Sequence, residues 1–226
     1  MPSKARKAFD ENLTDVDRLL ELHESTGGTG RGRRFDLEVL NKSAIVLLTS
    51  HWEAYCEDIA AEALNHIVKH AKSSEDLPLT IKKLLAKELK GDSHELAVWK
   101  LADDKWRPFL LSRLEKMAEI RGRSLNTPKA AQVDELFKAT IGLERVSSSW
   151  RWSKRLTVDG ARKKLDRFVE LRGAIAHRGS AKKSVTKAQA TDYRAFLMRL
   201  SGKTGGNINT HVKKITGKSI FTNKKV

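Results

Sequence analysis

The sequence predicts an all-α protein, a helical bundle followed by a basic tail. Only four prolines and two tyrosines occur in 226 residues, and leucine, alanine, lysine, glutamate and arginine are plentiful, a composition that favours helices over strands. Apolar residues recur at spacings of three and four along most of the chain, and no long segment alternates with the period of a strand. We expect one domain over residues 1–200 and a flexible tail over 201–226.

The first two predicted helices are separated by a glycine-rich basic loop. Helix one runs from about Lys4 to Glu24, and residues 25–34, "STGGTGRGRR", end it. Helix two, from Asp36 to Ala71, is the longest, with Asp36 as its expected N-cap and an apolar stripe that continues to Ile67. A helix of this length without internal glycine or proline suits the central helix of a bundle.

Shorter helices should complete the bundle. Pro108 must kink or split the second of them. The predicted spans are Leu79–Leu89, Ser93–Ile120, Pro128–Thr140, Ala161–His177 and Thr186–Leu200.

The positive charge is confined to one end of the sequence. The net charge is +16, yet residues 1–150 hold 24 Lys+Arg against 24 Asp+Glu, whereas residues 151–226 hold 20 against 4. A one-sided positive field attracts phosphate backbones, so we expect a polyanionic partner. An anionic membrane is a weaker alternative, since no basic helix with bulky apolar anchors is evident.

The remaining bulk features indicate a cytoplasmic protein. Cys56 is the single cysteine, which excludes an internal disulfide and a cysteine-based zinc site. The N-terminus lacks the apolar core of a signal peptide, and the longest apolar run, Ala44–Leu48, is far shorter than the roughly 18 residues that span a bilayer. His66 and His70 have the spacing of a metal pair but no third ligand, so we expect no metal and no cofactor.

The stretch "LRGAIAHRGS" (171–180) holds the residues best suited to phosphodiester chemistry. Arg172 and His177 stand five residues apart, about 140° around a helix that Gly179 should end. An imidazole can move protons on and off ribose oxygens, and a guanidinium can hold the phosphate. The alternative is the ordinary end of a packed helix, because an Arg-x4-His pattern is common by chance.

Two segments together resemble the HEPN superfamily, most closely its RiboL-PSP-HEPN branch. The late segment is "LRGAIAHRG", and the early one is "AIVLLTSHWEAYCEDI", in which Trp52, Glu53 and Tyr55 match the family's W/L-E-x-Y pattern. The resemblance spans roughly residues 35–200. It implies a helical bundle, a homodimer, and a metal-independent endoribonuclease site formed across the dimer interface with Arg172 and His177 at its core.

The resemblance also implies biological roles, and the sequence departs from the family pattern at one position. Members act as toxins, in phage defence or in RNA processing, so a cognate antitoxin or defence partner is expected. The residue after the motif arginine is usually polar, often asparagine, and here it is Gly173. Glu170 or Arg178 are candidates for the missing polar contact, and Glu53 is the candidate for further support of the site.

Other residues are candidates for binding RNA rather than cutting it. Two tryptophans alternate with cations, as in proteins that stack single-stranded bases, although core packing is the commoner reason for a tryptophan. Lysines near the C-terminus add phosphate-binding charge. The candidates are Trp150, Arg151, Trp152, Lys154, Arg155, Lys213, Lys214 and Lys218.

Two further functions compete with the nuclease. A non-catalytic nucleic-acid-binding module would keep the fold and the charge but lack chemistry, for which Gly173 is the warning. An interaction protein that neutralises a partner enzyme, as an antitoxin does, would be harmless when expressed alone.

Overall fold

The computed structural model describes residues 2–27, 37–113, 127–154, 156–178 and 184–221. In these residues the only strand-like pairing is an isolated bridge between Ser153 and Leu156, so the all-α prediction is confirmed. No described helix has the length and hydropathy to cross a bilayer. The helices are α1 Lys4–Gly27, α2 Glu38–His70, α3 Leu79–Lys90, α4 over 106–113, α5 Ala130–Ile141, α6 Val158–Arg178 and α7 Lys187–Thr216.

Helix α2 is the centre of the bundle. It packs against α1, α5, α6 and α7, and it buries residues around most of its circumference, including Ile45, Trp52 and Leu64 outside the predicted stripe. Because so much of the helix is covered, its apolar residues do not form one narrow stripe. The predicted N-cap, Asp36, and most of the preceding basic loop lie outside the described residues.

The predicted helix over Ser93–Ile120 is split. Short 3-10 turns occupy Ala97–Leu101 and Asp103–Lys105, and α4 begins at residue 106. Pro108 therefore lies in the first turn of α4, where a missing backbone N–H breaks no helical hydrogen bond. The part of this span beyond residue 113 lies outside the described residues.

The predicted helix end at Leu200 is wrong, as is the expectation that the chain is poorly ordered from Ser201. Helix α7 continues to Thr216 and buries Ile208 and Val212 completely. Gly217 ends it with a φ of 73°, a left-handed conformation that glycine adopts readily.

Packing explains why the glycines inside α7 do not end the helix. A Cβ on Gly205 would lie 2.9 Å from the hydroxyl oxygen of Tyr55, which donates a 2.8 Å hydrogen bond to the carbonyl of Ser201. Only glycine allows this close approach between α2 and α7. The buried contacts of the helix thus outweigh the low helix propensity of glycine.

A buried polar network fixes the segment between α5 and α6. The Asp134 carboxylate accepts hydrogen bonds from the backbone N–H (2.9 Å) and the hydroxyl (2.7 Å) of Ser147, and it forms an ion pair with Arg162. Ser147 belongs to the 3-10 turn Val146–Ser149, so three elements meet at one carboxylate. This network sets how the turn lies against the rest of the bundle.

Candidate active site

The inner side of α6 places Arg172 against the bundle. Leu165 and Val169 on this side are buried, and the ring of Phe168 stacks on Tyr193 of α7 with centroids 3.9 Å apart and planes 9° from parallel. Arg172 follows Phe168 by four residues, so it lies one turn further along the same side. Its side chain is half-buried, and its charge acts on both Tyr193 and Glu53.

Glu53 on α2 is partly buried and lies close enough to this guanidinium for the two charges to interact. Burial and, to a smaller extent, the charge of the neighbouring Glu57 raise the pKa of the Glu53 carboxyl to about 6, although the positive charge of Arg172 opposes both. A carboxyl with a pKa near 6 exchanges protons close to neutral pH, and such perturbed groups cluster at functional sites. The structure therefore brings together Glu53 and Arg172, which come from the two segments that resemble the HEPN family.

Tyr193 and Thr49 form a buried, hydrogen-bonded pair of hydroxyls near Arg172. Neither residue is a site candidate from the sequence alone. The two hydroxyl oxygens lie 3.2 Å apart, and the Thr49 hydroxyl donates to the carbonyl of Ile45 at 2.9 Å. Since that bond uses the proton of Thr49, the Tyr193 hydroxyl is the donor to Thr49. Burial raises the pKa of Tyr193, so its phenol stays neutral. Thr49 and Tyr193 lie 144 residues apart in sequence, so no local sequence pattern predicts their contact.

His177 lies near the end of α6 and is exposed. Five residues separate it from Arg172, about 140° around the helix and about 7.5 Å along it. Within one chain the imidazole therefore lies on a different side of α6 from the guanidinium, as the spacing predicts. The exposed imidazole is accessible to a ligand or a second protein chain.

The position after the motif arginine is open. Among the described residues, no atom apart from the chain neighbours and the adjacent helix backbone lies within 4 Å of the place where a Cβ on Gly173 would stand, so a larger side chain fits there. Glu170 does not fill the role of the missing polar residue, because it is two residues from Arg172, about 200° around α6, and pairs with Lys129 at 2.7 Å. The side chain of Arg178, the other candidate, lies outside the described residues.

The prediction that Trp150 stacks on RNA bases is wrong. Its side chain is 0% exposed, its indole N–H donates to the Thr204 hydroxyl at 2.9 Å, and its ring packs edge-on against Trp52 with centroids 6.1 Å apart. Trp152 is partly buried against Phe196. A buried indole has no free face for a base, so Trp150 is a core residue.

The described cationic candidates are exposed, and those near the C-terminal end of α7 are distant from Arg172. Arg151, Lys154, Lys213, Lys214 and Lys218 lie at the surface, and Arg155 lies outside the described residues. Helix geometry places the backbone of Lys213 about 30 Å along α7 from that of Tyr193, which borders Arg172. The candidates thus divide into Glu53 and Arg172, whose charges interact, the exposed His177 on another side of α6, and a set of surface cations.

His66 and His70 form a ring pair rather than part of a larger ligand cluster. Their ring centroids are 4.5 Å apart. Burial lowers the pKa of His66, and the neighbouring His70 lowers it further. Across the described ranges, no three His, Cys, Asp or Glu side chains are grouped so that they could hold a metal ion.

Comparison with known proteins gave a family match that covers most of the chain. The model of the RiboL-PSP-HEPN family matches residues 11–204, a span that includes most of α1, all of α2 and α6, and the first half of α7. Neither the curated proteins nor the solved structures gave a match. The match covers far more than half of the sequence and extends the predicted resemblance over residues 35–200 towards the N-terminus. The chain belongs to the RiboL-PSP-HEPN family.

Proposed function

We propose that this protein is a metal-independent endoribonuclease that cleaves cytoplasmic RNA by attack of the ribose 2′-hydroxyl. The observation that carries the proposal is the convergence of Glu53 and Arg172, from segments over one hundred residues apart, at a half-buried position on α2 and α6. Membership in the HEPN family supports a nuclease or RNA-related function.

Each residue of the proposed centre, formed by Glu53, Arg172 and His177, has a distinct role. His177 accepts the proton of the 2′-hydroxyl as its oxygen attacks the phosphorus, and then returns the proton to the departing 5′-oxygen. Arg172 holds the phosphate and offsets the charge that develops on its oxygens. The P–O5′ bond breaks, so the products are a 2′,3′-cyclic phosphate and a 5′-hydroxyl.

Glu53 positions Arg172 rather than touching the RNA. Its carboxylate attracts the guanidinium from α2. Fixing a donor group before the substrate arrives lowers the reorganisation that the reaction needs.

The arrangement of α6 favours a homodimeric site. Arg172 and His177 lie on different sides of α6, so a phosphate held by Arg172 of one protomer is reached by His177 of a second copy. Twofold symmetry would then create two identical sites across the interface. The biological role we infer is that of a toxin, a phage-defence effector or an RNA-processing enzyme, with a cognate partner that restrains it.

A non-catalytic RNA-binding module is the second candidate function. The observation that favours it is the empty space at Gly173, where no side chain is present to orient the centre. This module would bind RNA without turnover, and an antitoxin-like interaction protein would be harmless on expression, whereas the nuclease would be toxic.

Cleavage of total RNA in EDTA tests the proposal. The proteins to compare are wild type, Arg172→Ala, His177→Ala and the control His94→Ala, which removes another exposed histidine. We expect wild type and the control to cut, and both site variants to lose at least 100-fold in rate. Equal cleavage by wild type and His177→Ala would refute the site, and loss of cleavage in EDTA would refute the metal-independent reaction.

A further inference from the structure

The segment over residues 141–152, here called the strap, lies along α7. The side-chain amide of Asn207 donates to the carbonyl of Val146 at 3.1 Å, and the Trp150 indole donates to Thr204 at 2.9 Å. Residue numbers rise along the strap as they fall along α7, so the two run antiparallel. The Asp134 network and these bonds give the strap a defined place on the helix.

A row of cations follows the exposed side of α7 beside the strap. The α7 positions of these cations are four, ten and one residues apart, which keeps them within an arc of about 100° around the helix. Asn207 and Thr204, which bind the strap, lie next to that arc. The strap contributes exposed arginines at residues 145 and 151. We name these six exposed side chains the basic seam: Arg145, Arg151, Arg199, Lys203, Lys213 and Lys214.

The basic seam carries charge that no described carboxylate neutralises. None of its six side chains forms an ion pair within the described ranges, whereas Lys163 and Lys164 on α6 pair with Asp159 and Asp192. Uncompensated cations on one surface attract an anionic partner.

Two glycines on the exposed side of α7 leave the helix backbone there uncovered by their own side chains. In the part of the chain that the structure describes, and leaving aside the adjacent helix backbone, Gly206 has no atom within 4 Å of a hypothetical Cβ, and the nearest to Gly202 is the Arg6 guanidinium at 3.7 Å. Packing therefore requires glycine at position 205 but not at these two exposed positions, where glycine lowers helix stability. Without side chains there, an extended anion can approach the helix backbone between the cations.

We propose that the basic seam is a binding track for the phosphate backbone of one RNA strand, separate from the catalytic centre. The identity of the partner as RNA rests on the proposed function. From Arg199 to Lys213 the helix rises about 21 Å, which is long enough to contact several phosphates of one strand. Lys203 lies about 15 Å along α7 from Tyr193, so a strand bound here can continue to Arg172.

The seam fits RNA better than an anionic membrane. Binding to a bilayer surface needs bulky apolar anchors beside the cations. Among the described residues, large exposed apolar side chains cluster instead on the segment that holds Leu96, Val98 and Trp99. A backbone-binding track needs cations alone, and it binds without regard to base sequence.

The salt dependence of RNA binding tests the proposal. Binding of a fluorescent 12-nucleotide oligouridine is measured by anisotropy across a series of salt concentrations, in a His177→Ala background that prevents cleavage. Lys203→Gln/Lys214→Gln is compared with Lys83→Gln/Lys87→Gln, a control pair on exposed positions of α3. Each lost phosphate contact lowers the slope of log affinity against log salt by about 0.7, so we expect a decrease of about 1.4 and at least tenfold weaker binding for the seam pair alone.

Three outcomes would overturn the seam: equal effects of both pairs, no effect of the seam pair, or binding to anionic phospholipid vesicles without binding to the oligouridine. The proposed function fails separately. If wild type cuts no RNA but the seam pair binds oligouridine as weakly as expected, the seam stands and the nuclease does not.

Discussion

The carboxyl of Glu53 lies close enough to the guanidinium of Arg172 for the arginine to lower its pKa, against a larger opposing effect of burial. Burial wins, because the pKa of Glu53 remains at about 6, above its usual value of 4.5. The folded chain thus holds a partly desolvated carboxylate at neutral pH, which lowers stability and sets the position of a cation. A partly buried carboxylate that lowers the stability of the fold indicates a role in function rather than in folding.

Removing the Glu53 charge should stabilise the protein while it weakens catalysis. The pKa difference corresponds to about 2 kcal/mol at most, and solvent screening reduces this to about 1 kcal/mol. Because the folded-state pKa is raised, the penalty is full above pH 6 and fades as the pH falls to about 4.5. We expect Glu53→Gln to raise the free energy of unfolding at pH 8, measured by urea denaturation, and to match wild type at pH 4.

Glu170→Gln is the matched control for this prediction. It removes the exposed ion pair with Lys129, so we expect less than about 0.5 kcal/mol at either pH. A Glu53→Gln protein less stable than wild type at pH 8 would mean that attraction to Arg172, and not burial, dominates.

Two glycines in helices should respond oppositely to alanine. Gly173 has open space around its missing Cβ, so Gly173→Ala should stabilise the fold by about 0.5–1 kcal/mol. A Cβ on Gly205 would stand 2.9 Å from the buried Tyr55 hydroxyl, so Gly205→Ala should destabilise it by about 1–3 kcal/mol. Chemical denaturation measures both, and changes of the same sign would contradict the packing described for α7.

Placing a polar residue at position 173 tests whether a side chain there orients the catalytic residues. Gly173→Asn fits the open space, and a side chain that orients the centre should raise the cleavage rate without changing RNA affinity. Gly173→Ala serves as its control, since it fills the position without a polar group. An increase with alanine as large as that with asparagine would assign the effect to helix stability.

The two tryptophans at positions 150 and 99 should differ sharply in their effect on stability. Trp150 is fully buried and hydrogen-bonded, so Trp150→Ala should lower the free energy of unfolding by about 3–5 kcal/mol. Trp99 is 64% exposed, and Trp99→Ala should change it by less than about 0.5 kcal/mol. Similar losses for both variants, measured by thermal denaturation, would contradict the burial described for Trp150.

Mixed dimers test whether two protomers share each site. Arg172→Ala and His177→Ala should each be inactive alone. After unfolding and refolding together in equal amounts, we expect about a quarter of wild-type activity, because half of the dimers are mixed and one of their two sites is intact. Absence of recovered activity, with mixed dimers demonstrated by native mass spectrometry, would contradict a site shared between two protomers.

Much of the fold follows from the sequence because helix ends leave local signals. The expected spans of α2 and α6 end within three residues of those observed, since apolar periodicity and flanking glycines mark them. The true end of α7 was missed because local propensity is low over residues 202–206. The burial of Ile208 and Val212, which holds this part of the helix in place, depends on the packing of other elements.

The candidate site was predicted only in part. The placement of Arg172 on the inner side of α6 and of His177 elsewhere follows from helix geometry. The hydrogen bond between Thr49 and Tyr193 joins residues 144 apart, and the burial of Trp150 depends on Trp52 and Thr204. Contacts between distant helices leave no spacing signal in one sequence, so they could not be predicted.

The most direct measurement compares an RNA oligonucleotide with the same sequence built of 2′-deoxynucleotides, in EDTA, with product ends identified by mass spectrometry. We expect wild type to cut only the RNA, leaving 2′,3′-cyclic phosphate and 5′-hydroxyl ends, and His177→Ala to cut neither. Cleavage of the deoxy oligonucleotide, or products that carry 5′-phosphates, would contradict attack by the 2′-hydroxyl at the Arg172–His177 centre.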